Sequence, residues 1–290
     1  MVIAAHPGIF LFGVLNIIYM NLLLLAGITD PFGRNHLFLI VTCIVLIVGL
    51  SILIAKSKIK FSTLINTMLV LWIFSETTKL VGNLEYLLSD GSTIEIIKYQ
   101  AKEGVSIVRA FYPRTELPFH LCSIQPLFIL VIKFTKNEKL RDTLLKFIFP
   151  TATLGAVIAI LVGTVGGDFS DPHVYEYFIF HAALTIFAIS IVTKKQINIT
   201  LKSHIQTLLI ILVMFVGSIW VNSILSDTGS PSDAYYTNFF YSMKPPLEGL
   251  PILNLNNGWF VYFFTILGIG VTAITLLQLP FIIKNHKNNK

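Results

Sequence analysis

An all-α, polytopic membrane bundle of about eight transmembrane helices is what this sequence predicts, on three observations. Apolar runs of spanning length recur along the chain, charge is confined to short islands between them, and the islands alternate in character. Of 290 residues, 54% are hydrophobic and 12% charged, whereas a soluble domain carries about a quarter charged residues. Runs of about 20 apolar residues match the hydrocarbon core of a bilayer. The chain reads as a single integral membrane domain over residues 1–290, with outer loops at 84–115 and 226–257 and no repeat of fixed period.

The first run extends roughly from Ile9 to Ile28. No basic region precedes it, so it reads as a retained helix rather than a cleaved signal. Asp30-Pro31-Phe32-Gly33-Arg34-Asn35 is a turn. The second run covers roughly His36 to Ala55 and the third Thr63 to Asn83. A mixed-charge segment follows, in which Ile94 to Lys98 suits a short surface helix. The fourth run starts at Pro118 and ends near Lys133, and the fifth covers Leu145 to Val165. The sixth covers His173 to Val192, the seventh His204 to Leu225, and the eighth Trp259 to Ile282.

The islands after the second, fourth, sixth and eighth runs are basic, at Lys56/Lys58/Lys60, Lys136/Lys139/Arg141, Lys194/Lys195/Lys202 and Lys284/Lys287/Lys290. Those after the first, fifth and seventh carry Asp30, Asp168/Asp171 and Asp227/Asp233. Eight spans with both termini in the cytoplasm satisfy the positive-inside rule. A seven-span arrangement that drops the first run keeps the other orientations. The net charge of +6 is thereby explained by membrane orientation, not by nucleic acid.

Orientation gives each polar residue a depth, at about 1.5 Å per helical residue. Glu76, Lys79, Cys122, His181 and Asn222 come from four runs and fall in one outer layer, while the inner halves are almost purely aliphatic. Polar groups gathered in one leaflet predict a water-accessible pocket.

Within that layer, Cys122 follows Pro118, which suits a first helical turn, and precedes Pro126, which is expected to kink the helix. A thiol near a helix N-terminus is placed for reactivity. Cys43 has no such context and reads as a small apolar filler. His181 shares a face with Tyr177 and Thr185 and lies at a depth where it can serve Cys122 as general base. His120, two residues from Cys122, points to a nearly opposite face if the segment is helical, so it reads as a head-group contact. Glu76 and Lys79 form an i, i+3 pair, with the carboxylate available to orient a histidine and the lysine to meet phosphate. The turn Lys244-Pro245-Pro246 is placed to cap the pocket. Zinc, Gly-rich phosphate-loop and G-x-S-x-G motifs are absent from the sequence, and no cofactor or metal is expected.

Leu117-Pro118-Phe119-His120-Leu121-Cys122 resembles the L-P-[LF]-H-L-C signature of the YwaF-type integral membrane protein family, the family of transmembrane protein 164. His181, the Asn/Tyr-rich stretch ending in Lys244-Pro245, and Trp259 to Tyr262 are similar to that family's later landmarks, in the same order. The resemblance covers most of the chain. It implies a phospholipid-remodelling acyltransferase, with the reactive cysteine at Cys122 and its histidine at His181. Membrane phospholipids are then the expected partners, with Lys79, Glu76, His120, Tyr177, Asn222 and Lys244 as candidate substrate-binding residues. A transporter or lipid-handling protein with no covalent step is the alternative, and the oligomeric state is left open.

Overall fold

The computed structural model describes residues 32–89, 99–101, 105–107, 117–163, 169, 171–226, 237–246 and 252–288, with backbone only for 82–89, 99–101, 105–107 and 288. The first predicted run and the surface helix expected at 94–98 lie outside these residues. Seven helices are described: α1 (Arg34–Lys56), α2 (Phe61–Ser89), α3 (Gln125–Phe134), α4 (Glu138–Val162), α5 (Pro172–Thr193), α6 (Leu201–Leu225) and α7 (Trp259–Asn288). Two three-residue strands, β1 (Tyr99–Ala101) and β2 (Val105–Ile107), pair antiparallel between α2 and α3.

All the described helices except α3 are long and apolar enough to cross a membrane. Their outward faces carry large apolar side chains, with Val213 71% and Ile224 75% exposed. A surface of that kind suits acyl chains and not water. α5 is central and packs against α1, α2 and α4. α6 and α7 pack on each other, and α4 joins them to the rest. The larger core is built from Ile129, Phe147, Ile148, Leu184, Ala188 and their neighbours.

Local sequence explains the helix ends. Asp171 caps α5 by accepting from the His173 N–H at 2.8 Å, and Pro172 occupies the first turn, where its missing N–H costs nothing. Thr200 and Ser203 form a reciprocal capping box on α6. α4 ends at Gly163, whose φ is +55°. A Cβ there would lie 2.4 Å from His36 Nε2, so only glycine fits. His36 Nε2 in turn lies 2.9 Å from the carbonyl of Ile160, satisfying a group that the helix end leaves unpaired.

Pro150 sits inside α4 and cannot bond the Lys146 carbonyl. Gln278 of α7 supplies the donor instead at 3.3 Å, while its Oε1 meets His204 Nδ1 of α6 at 2.7 Å. The basic ends of the helices gather at one end of the bundle. There Lys194 donates to the Ser57 carbonyl at 2.7 Å and Lys133 to Asn66 at 2.5 Å.

The fourth run departs from expectation. Residues 117–124 form turns, and α3 begins only at Gln125. Pro126 therefore starts a helix instead of kinking one, and the Cys122 carbonyl accepts from the Gln125 N–H at 3.3 Å. Ten residues of helix reach about 15 Å, half of a bilayer core. The other half of this crossing is irregular backbone, which membrane proteins tolerate only where it is buried in protein or lines a cavity.

Candidate functional site

The second condition is met at residues 120–123, which line a cavity. Gln125, fully buried, donates to the Leu121 carbonyl and to Thr151 Oγ1 of α4, each at 3.0 Å. The turn packs on Gly155 of α4, where a Cβ would make ordinary 3.5 Å contacts with the Cys122 nitrogen and the Leu121 side chain. The turn is thus held against α4, and His120, Leu121, Cys122 and Ser123 face a cavity of about 320 Å³.

The lining has two chemically distinct sets of side chains. Lys79, His120, Cys122, Ser123, His173, Glu176, Tyr177, His181 and Tyr241 form the polar set. Aliphatic and phenyl side chains of α4, α6 and α7 form the other.

The Cys122 thiol and the His181 imidazole line the same cavity and are close enough to interact electrostatically. His181 Nδ1 lies 2.6 Å from the Tyr177 carbonyl. A carbonyl only accepts, so this contact places the ring proton on Nδ1 and leaves Nε2 as the basic nitrogen. The Tyr177 ring packs on that of His181 with centroids 4.4 Å apart, and the Tyr177 hydroxyl donates to the Ala159 carbonyl at 3.0 Å. Tyr177 therefore fixes the orientation of the imidazole by both backbone and side chain. Ser123 Oγ is 3.9 Å from the Cys122 sulfur.

His120 lies on the cavity beside Cys122, not on an opposite face as a helical segment requires. The unwound backbone is the reason, because the two-residue face rule holds only in a helix. Its ring sits between Phe239 and Tyr241, at centroid distances of 5.0 and 5.8 Å.

Lys79 lines the cavity and is paired with Glu76 at 3.1 Å, but Glu76 itself is not among the lining residues. The buried carboxylate is Glu176, which the sequence reading missed. It lines the cavity, accepts from Ser75, and has Oε2 3.2 Å from His173 Nδ1. Its charge acts on both His181 and Lys79. An acid four residues inside an apolar run, three after a histidine and five before another, was the available signal.

Asn222 is not on the cavity. Its Oδ1 accepts from the Phe239 N–H at 2.8 Å, and its Nδ2 donates to the Phe239 carbonyl and to Ser242 Oγ. The Lys244 carbonyl accepts from Asn238 and Tyr262, both at 2.8 Å, and the residue does not line the cavity either, though Pro246 does. These bonds hold Phe240 and Tyr241 at φ +58° and +52°, sparsely populated values for such side chains, and both residues cover the cavity. Asn222→Leu should destabilise the protein by on the order of 2 kcal/mol, because the Phe239 backbone groups lose their partner. A thermal unfolding midpoint equal to wild type in detergent would contradict that role.

Among the described residues, no group of three or more His, Cys, Asp or Glu side chains is arranged to hold a metal ion. The site offers a thiol, an imidazole of fixed tautomer, a carboxylate, an ammonium and an apolar chamber.

The sequence model of the TMEM164 family matches residues 31–278. The chain belongs to the TMEM164 family. The matched stretch includes every residue that lines the cavity, from Lys79 to Ile274, and the spanning helices of this TMEM164-family chain make it a membrane protein. No curated protein and no solved structure matches the chain.

Proposed function

We propose that this TMEM164-family protein is a membrane-embedded transacylase that moves acyl groups between phospholipids through a thioester on Cys122. The observation that carries the reading is that Cys122 and His181 line one cavity and interact there, in a lining that also supplies apolar side chains. His181 Nε2 takes the thiol proton as sulfur attacks the carboxyl carbon of a lipid ester. The ester C–O bond breaks, and the leaving alkoxide takes that proton from His181. An acceptor hydroxyl then gives its proton to Nε2 and attacks the thioester carbon. The C–S bond breaks, and the thiolate recovers the proton. Splitting the transfer in two lowers the barrier of each step.

Lys79 and His120 are placed for an anionic head group, and Glu176 faces the imidazolium that forms. With the basic end of the bundle in the cytoplasm, the polar side chains of the cavity lie in the outer half of the cell membrane and the chain termini lie inside. This placement suits a substrate that never leaves the bilayer.

The test is to incubate the purified protein with phospholipid vesicles, quench in acid, and measure intact mass. An added acyl mass, lost with hydroxylamine and mapped to Cys122, is expected. Lipid movement between leaflets with no adduct and no acyl exchange would favour a transporter instead.

A further inference from the structure

We propose that the aliphatic arm of the cavity holds the alkyl chain of the acyl group on Cys122, and that Gly270 sets how much chain the arm accepts. This rests on the transacylase reading for the origin of the chain, but the arm is defined by its own apolar lining residues.

Gly270 lines the cavity from the interior of α7. Glycine is among the poorest helix formers, and in membrane helices it commonly lets a neighbouring helix approach. Gly155 has a close neighbour, the 121–122 turn, packed 3.5 Å from where its Cβ would lie. Gly270 does not, because a Cβ placed there meets no atom within 4 Å. The space is left open on the cavity side. Gly268, two residues away on a different face, is not a lining residue.

One helical turn beyond Gly270, on the same face, Ile274 is 1% exposed and lines the arm together with the buried Ile211. Nothing in this part of the lining is charged, so a hydrocarbon chain is the occupant whose burial it favours. Ile158 of α4 and Ile269 of α7 both line the arm and are more than a third exposed. The wall between α4 and α7 therefore gives onto the surrounding hydrocarbon, which offers a chain a lateral route.

A leucine at position 270 would project into the arm, whereas alanine at position 274 would extend it. The test uses the full-length protein in detergent with N-ethylmaleimide and N-dodecylmaleimide, and reads the Cys122 adduct by peptide mass spectrometry. In Gly270→Leu the ratio of long-chain to short-chain labelling rate should fall about tenfold, the scale on which a pocket discriminates added or missing methylenes. In Ile274→Ala the ratio should rise. Equal ratios in wild type and both variants would overturn the proposal, and Ile274→Ala alone decides it if Gly270→Leu does not fold. Labelling needs no acyl transfer, so the two readings fail separately. A shifted ratio with no lipid-derived thioester leaves the arm standing without the transacylase. A thioester whose chain-length distribution is the same in Gly270→Leu leaves the transacylase standing without the gauge.

Discussion

Cys122→Ala is expected to abolish acyl exchange between phospholipids in proteoliposomes, with a loss on the order of 10³-fold or more. A covalent transacylase stripped of its nucleophile keeps only binding and whatever stabilisation its polar groups give the transition state. The substitution removes one sulfur from a half-buried side chain at the edge of a cavity. The turn that carries it is held by other residues, namely Gln125, Thr151 and Gly155. Stability should therefore change by about 1 kcal/mol at most, and lost exchange will not be lost folding. Cys43 supplies the control. It is buried against α5, with its sulfur 3.9 Å from the Phe178 carbonyl and no place on the cavity. Cys43→Ala should exchange acyl groups as the wild type does. Exchange that persists in Cys122→Ala would remove the thioester from the mechanism.

The spanning helices could be read from the sequence because hydrocarbon thickness imposes length and apolarity directly. α1, α2 and α4 to α7 each begin or end within a few residues of an apolar run, apart from α4, which starts seven residues earlier at Glu138, and two helices that run six residues further, α2 to Ser89 and α7 past Pro280 to Asn288. The fourth run shows where that logic stops. Pro118 and Pro126 are equally good first-turn residues, and an apolar composition is compatible with helix or with turn. What decides between them is tertiary. Gln125 bonds Thr151 twenty-six residues away, and the turn's backbone packs against Gly155. Irregular backbone at membrane depth exists only by such contacts.

The same limit explains the site. Depth placed Lys79, Cys122 and His181 in one layer, and all three line one cavity. Depth does not report which face a residue takes. Asn222 shares the layer but turns to the 237–242 backbone, and Glu76 pairs with Lys79 without lining the cavity. Glu176 is not legible from the stripe of Tyr177, His181 and Thr185, because it pairs with His173 one turn above that stripe. His120 was misplaced for the reason that misplaced the helix start, since its direction follows from the conformation of residues 117–124.

His181→Ala is the second large effect, and its design separates chemistry from structure. General-base assistance is worth about 10²- to 10⁴-fold, so exchange should fall by that factor in kcat with a smaller change in KM. His181 is 6% exposed, and its own carbonyl accepts from Thr185 at 2.9 Å whatever the side chain. The alanine variant keeps that helix bond and leaves a ring-sized space beside Cys122, open to a cavity of about 320 Å³. Added imidazole should enter it and restore part of the lost rate in proportion to its concentration. A histidine that only packs against Tyr177 has no basic nitrogen to replace, so imidazole would then restore nothing. In the double variant Cys122→Ala/His181→Ala, imidazole should be without effect, because the added base has no thiol to serve. Rescue in the single variant together with its absence in the double one would tie the base to the sulfur. Failure of rescue at every concentration, with the variant folded, would assign His181 to structure alone.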